Sequence, residues 1–163
     1  MKIDLDLHNS PTELFTPRSY DKDLHDVTTM ISDICEYLAD HTDTQFKVSG
    51  FGLGEWLVDV RTDLAVFLEQ LDYAIGSLRR NGNFDIDFYE QGLDRRISFL
   101  LDGDFVNITC IDIISWEKVG EGERMAKAEV LELFSSLRHS FVDLVQAISP
   151  EIASHQWFLH WSR

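Results

Sequence analysis

Cysteine is scarce: only Cys35 and Cys110 occur in 163 residues. Both fall inside expected regular elements, and two such residues do not suggest a disulfide-dense scaffold. Proline is equally rare, at three residues, which leaves no extended proline-rich linker. No apolar run reaches the 18 or so residues of a membrane-spanning helix. The opening MKIDLDLHNS lacks the charged-then-apolar pattern of a secretion signal, and the expectation is a cytoplasmic protein with reduced core thiols.

Positive charge is the next shortage. Lysine and arginine together number 14 against 29 acidic residues, a net of −15. A surface of that sign repels phosphate backbones, so neither nucleic acid nor an anionic membrane is expected as a partner. With only five lysines, and none between residues 83 and 114, a metal-dependent nuclease would lack both its basic groove and the lysine beside its acids. Catalytic signatures are missing too. The six histidines form no HExxH pair, no serine sits in a GxSxG elbow, and neither cysteine has basic neighbours to make a thiolate. The glycines of SGFGLGEW suggest a phosphate cradle, but no Lys-Ser or Lys-Thr follows and Glu55 and Asp59 would repel the ligand. A hairpin turn accounts for them. No catalytic residue, metal or cofactor is expected.

What is present is a core. Hydrophobic residues make up 44% of the chain, including 11 Phe and 4 Trp, too many for disorder. A chain this long buries about two-thirds of its unfolded surface, and no repeat or linker divides residues 1–163. One domain is expected. Residues 2–7 alternate Ile3, Leu5 and Leu7 with charged neighbours, as a half-buried strand does. Pro11 and Pro17 punctuate a loop. Leu24, Val27, Ile31, Ile34 and Leu38 recur at three and four, predicting an amphipathic helix over 21–41.

Two strands should follow around Gly50, Gly52 and Gly54, with Trp56, Val58 and Val60 on one face. Thr62 then reads as the cap of a helix carrying Leu64, Phe67, Leu68, Leu71, Ile75 and Leu78 inward, stopped at Asn81-Gly82. Strands over 83–90, 94–101 and 105–114 are joined at Gln91-Gly92 and Asp102-Gly103-Asp104, turns short enough only for antiparallel neighbours. Phe84, Ile86, Phe88, Ile97, Phe99, Leu101, Val106, Ile108 and Cys110 should face the core. A long helix over 123–148 and a short one begun at Ser149-Pro150-Glu151 complete the chain. The pattern predicts an α+β fold, an antiparallel sheet with helices mainly on one face.

Two sets of acids are candidate binding residues. Asp26, Asp33, Glu36, Asp40 and Asp43 repeat opposite the apolar stripe of the first helix, and residues 1–43 carry ten acids against Lys2, Arg18 and Lys22. Asp85 and Asp87, with Tyr89 next along, occupy alternate positions on the polar face of a strand. As a cation site the pair lacks further ligands, since Arg96, Ser98, Asn107 and Thr109 are its expected neighbours. Arg96 should pair with the aspartates. The surfaces fit a basic protein partner, with Tyr89 as an aromatic anchor.

A small, strongly acidic α+β chain without a catalytic set resembles the bacterial immunity proteins that neutralise toxins delivered by contact-dependent or related secretion systems. The resemblance spans the whole chain in size and charge but rests on no motif, so no residue carries over. It implies a cognate basic toxin domain, possessing for example a nuclease site, as partner, and direct binding without catalysis. A small metal-dependent enzyme using Asp85 and Asp87, or a general interaction or regulatory module, are the alternatives.

Overall fold

A computed structural model of the chain describes residues 1–8, 14–56, 58–89 and 94–163. The loop position Pro11 and the turn expected at Gln91-Gly92 lie outside them. The fold is α+β, with two antiparallel sheets where the sequence pattern suggested one. The smaller sheet pairs β1 (Lys2–Leu7), β2 (Thr44–Gly50) and β3 (Leu53–Glu55) in that order; the larger pairs β4 (Phe84–Phe88), β5 (Arg95–Asp102), β6 (Phe105–Asp112) and β7 (Glu123–Ala126). Three main helices are α1 (Val27–His41), α2 (Ala65–Arg79) and α3 (Lys127–Ile148), followed by short α4 (Pro150–Ala153) and α5 (Gln156–Trp161).

Local chemistry sets several boundaries. The first helix begins at Val27, not at residue 21, because Asp26 caps it: Asp26 Oδ1 accepts from the Thr28 amide at 2.9 Å and the Thr29 amide at 3.3 Å, while Thr29 Oγ1 accepts from the Asp26 amide. Leu24, expected in the apolar stripe, precedes the cap and is 77% exposed. Asp59, not Thr62, opens the second helical segment. Its carboxylate accepts from the Thr62 amide at 2.6 Å and hydroxyl at 2.7 Å, and Asp63 in turn accepts from the Asp59 amide. One π-helical turn, Val60–Leu64, leads into α2. The segment ends as expected, with Asn81 left-handed at φ 59° and Gly82 donating to the Ser77 carbonyl. β7 was read as the start of the long helix; it is instead the partner that β6 needs on its outer edge, in the register Asn107↔Arg124.

The two sheets meet at Phe51. Its carbonyl accepts from the Glu121 amide at 2.7 Å and its amide donates to Glu123 Oε1 at 2.5 Å, tying the β2–β3 turn to the approach of β7. Phe51 is fully buried in a left-handed conformation, φ 61°. Only glycine fits opposite it, since a Cβ on Gly120 would lie 2.1 Å from the Phe51 carbonyl oxygen.

α2 and α3 cover the inner face of the larger sheet, and one apolar core runs through both sheets. The inward residues of β4, β5 and β6 are those the alternation predicts, with Leu101 only half-buried. Phe67 on α2 is the hub. Its ring centroid lies 6.0 Å from Phe46 on β2, 5.9 Å from Phe88 on β4 and 5.8 Å from Phe134 on α3, and Phe134 reaches Phe99 at 5.6 Å. Phe67→Ala should therefore cost about 3 to 5 kcal/mol in a denaturant melt through lost transfer energy and a cavity. Substituting Glu36, an exposed acid on α1, by Gln should change stability by less than about 1 kcal/mol. The reverse ranking would refute this placement of the core.

Candidate functional site

The acids of α1 are exposed as a stripe but are not bare carboxylates. Two arginines from flanking segments read them. Arg18 donates from Nε and Nη2 to the two oxygens of Asp33, at 2.8 and 2.9 Å, and the Tyr20 hydroxyl adds a third bond at 3.0 Å. Burial, then this bond to Asp33, pushes the Tyr20 phenol well above its ordinary pKa. Arg61, at the π-helical turn, donates to Glu36 at 3.2 Å and to Asp40. Asp26 belongs to the same row in sequence, yet its carboxylate is spent on the helix cap.

Tyr89 joins this surface rather than that of Asp85 and Asp87. The Gln70 amide of α2 brackets the β4 backbone, accepting from the Asp87 N–H at 2.9 Å and donating to the Asp87 carbonyl at 2.9 Å, which holds the strand edge against the helix. The preceding residue of α2, Glu69, accepts a hydrogen bond from the hydroxyl of Tyr89, just past the end of β4. Ser32, Glu36, Arg61, Glu69 and Tyr89 consequently line one hollow of about 330 Å³ between α1 and α2. A second, of about 430 Å³, flanks α1 on its other side, with Arg18, Asp33 and Asp40 at its rim and Phe15, Tyr37 and His41 among its walls; Glu36 borders both. The Tyr37 and His41 rings stack there at 4.5 Å.

The resulting candidate site is an acidic ridge between two hollows. Four carboxylates, Asp33, Glu36, Asp40 and Glu69, surround two guanidiniums. Arg61, Glu36 and Asp40 are 44%, 64% and 47% exposed, and exposed pairs of this kind contribute only about 0.2 to 1 kcal/mol. They can be re-partnered by an incoming cation at little cost. Arg18, Arg61 and Glu69 were not singled out from sequence, because nothing local marks which arginine folds back onto a distant helix.

Asp85 and Asp87 lie elsewhere, on the outer face of the larger sheet. Both oxygens of Asp87 are taken by Arg96, from Nε at 2.5 Å and Nη2 at 2.9 Å, while Asp85 is exposed opposite Ser98. The expected aspartate–arginine pairing is thus present, and a cation at Asp87 would have to displace a bidentate guanidinium. Among the described residues no three His, Cys, Asp or Glu side chains are grouped to hold a metal ion. His155 has a structural role: its Nδ1 accepts from the Trp157 amide at the start of α5. Burial pushes the Cys35 thiol far up and the Cys110 thiol to about 11. No helix among the described residues is long and apolar enough to cross a membrane.

Comparison with protein families, with curated proteins and with solved structures finds no match for this chain.

Two outcomes follow from these environments. Removing the cap by Asp26→Ala should cost about 1 kcal/mol at neutral pH, whereas Asp26→Asn, which also caps, should cost little. Hydrogen bonds, led by that from the Thr28 hydroxyl, hold the Asp26 carboxyl below its ordinary value. Its contribution is therefore full above the unfolded carboxylate pKa and lost as pH falls through the folded one. Urea melts at neutral and at strongly acidic pH should show the Asp26→Ala cost shrinking in acid. Neither thiol should react with a thiol reagent at neutral pH until the chain unfolds; rapid labelling of the folded protein would contradict their burial.

Proposed function

We propose that this chain is a binding protein for a basic protein partner, and that the partner is a toxin domain it neutralises in the cytoplasm, as the immunity proteins it resembles do. The observation that carries the reading is the ridge on α1 and α2, where Asp33, Glu36, Asp40 and Glu69 outnumber Arg18 and Arg61 in a molecule of net charge −15. Opposed fields steer two such surfaces together, and the hollow containing Tyr89 offers a place for one anchoring side chain. Arg61, held between Glu36 and Asp40, already illustrates the contact a partner's arginine would make. Binding without chemistry accounts for the exposed, re-partnerable pairs; a catalytic acid would need a carboxylate placed against a substrate atom.

The test is co-expression with the protein encoded immediately upstream, followed by co-purification and a toxicity assay. A complex should form, and its association rate should fall from roughly 10⁸ M⁻¹s⁻¹ at low ionic strength towards the 10⁵ to 10⁶ of an unsteered pair as salt rises. Glu36→Gln with Asp40→Asn and Glu69→Gln should slow association, and Tyr89→Ala should mainly speed dissociation. Absence of both complex and protection would reject the neutralising role. An association rate indifferent to salt would reject the electrostatic mechanism.

A further inference from the structure

Asp33 is held unlike the other acids of the ridge. Glu36 and Asp40 each meet Arg61 through one oxygen, and they are 64% and 47% exposed. Asp33 is 18% exposed and accepts three hydrogen bonds, two from the Arg18 guanidinium and one from the Tyr20 hydroxyl. Both donors belong to one irregular segment, the strap of residues 14–26 that leads into α1. Arg18 also lies over the Tyr20 ring, at 6.0 Å, so the two side chains fix each other's placement.

The strap is tied at its ends and scarcely between them. At one end the Phe15 amide donates to the Ile148 carbonyl at 2.9 Å, and the Phe15 ring lies 5.2 Å from that of Tyr37. At the other end the Asp21 amide donates to His25 Nδ1 at 2.9 Å, the His25 amide donates to the Asp21 carbonyl at 2.8 Å, and the Asp26 cap begins α1. Residues 16–20 make no backbone–backbone hydrogen bond to another described residue, and Pro17 has no amide to give. What holds this arch down is the grip of Arg18 and Tyr20 on Asp33, together with the Tyr20 ring set edge-on to that of His155 at 6.2 Å. An arch with fixed feet and few backbone bonds belongs to the least stable part of a fold and lifts locally without disturbing the core.

We propose that the strap is an autoinhibitory clamp on the acidic ridge: Arg18 occupies Asp33 as the chain's own stand-in for a basic partner, and the partner engages Asp33 by lifting residues 16–20 and releasing Arg18. This rests on the reading of the ridge as the site of that partner. In the closed form Phe15, Thr16 and Arg18 make one side of the hollow of about 430 Å³, and Asp33, Tyr37 and Asp40 of α1 make the other. Lifting the strap opens that side and presents Asp33, Glu36 and Asp40 together, three and four residues apart on one face of α1. An arginine from the partner reproduces both bonds that Arg18 gives up, because its fork matches the two carboxylate oxygens. A partner that must first free Asp33 binds with its affinity reduced to the fraction of molecules whose strap is open. Loosening the clamp therefore strengthens binding.

Calorimetric titration of the full chain with a hexa-arginine peptide at about 0.15 M salt tests this. Tyr20→Phe removes one bond to Asp33 and no charge, and should tighten binding by at least about threefold. Arg18→Gln should tighten it further. Arg80→Gln, which removes the same charge at the far end of α2, should change binding by less than about twofold and so separates release of the clamp from net charge. In magnetic resonance spectra the Arg18 Nε–H signal of the unsubstituted chain should move to the position of a solvated arginine as the peptide saturates it. Glu36→Gln with Asp40→Asn should weaken binding in every background, which marks the ridge as the site. Equal or weaker binding by Tyr20→Phe and Arg18→Gln, with that ridge dependence intact, would overturn the clamp and leave the ridge as the partner's site. An Arg18 signal unmoved at saturation would do the same. Absence of peptide binding, or binding indifferent to the Glu36 and Asp40 changes, would overturn both.

Discussion

Phe67 touches three rings that belong to three different elements, one in each sheet and one in the longest helix. Edge-to-face and tilted pairs at these separations contribute about 0.5 to 1.5 kcal/mol each beyond the area they bury. More important is what they fix. α2 can keep Phe67 against Phe46, Phe88 and Phe134 together only if both sheets hold their positions around it. The second constraint, Phe51 bonded to Glu121 and Glu123, closes the sheets on the far side. Between these two points the orientation of α2 is settled, and with it the groove that α2 shares with α1.

That geometry explains how the acidic ridge comes together from distant parts of the chain. α1 supplies Asp33, Glu36 and Asp40 on its outward side because Ile31, Ile34 and Leu38 take the inward one. The π-helical turn before α2 places Arg61 within reach of two of them. Gln70 holds the edge of β4 so that Tyr89 falls beside Glu69. None of these contacts is strong alone. Their positions are inherited from the core beneath.

The sequence showed most of what depends on neighbours at two, three or four residues. The alternation of β4, β5 and β6 and the inward stripe of α2 needed no tertiary information, and the pairing of Arg96 with Asp87 followed from strand register. What escaped was non-local or very short. Membership of two sheets instead of one depends on where the chain returns after Gly50, which no periodicity records. β7 is four residues long and its charged, mixed sequence merges into the helical pattern of α3; only the free edge of β6 makes it a strand. Leu24 fitted the helical spacing, but the Asp26 cap sits between it and α1. Tyr89 was placed with Asp85 by parity, a rule that ends with the strand at Phe88.

The excess of acid meets arginine on both surfaces, and the difference is one of proportion: four carboxylates share two guanidiniums on the ridge. On the ridge the carboxylates outnumber the guanidiniums, and the pairs stay wet, so their mutual attraction is weak and a competing cation can take a place among them. On the sheet face Arg96 and Arg124 each lie over an aromatic ring while holding an aspartate, which ties charge to apolar contact, the Arg96–Asp87 pair being the less exposed of the two. Burying such a face removes apolar area from water and strands no carboxylate except Asp85. Burying the ridge without a basic partner would strand several, at a cost that no apolar contact there offsets. Net charge alone therefore does not describe the surface of a molecule of −15; the local ratio of carboxylate to guanidinium does, and it leaves the ridge the more acidic of the two surfaces.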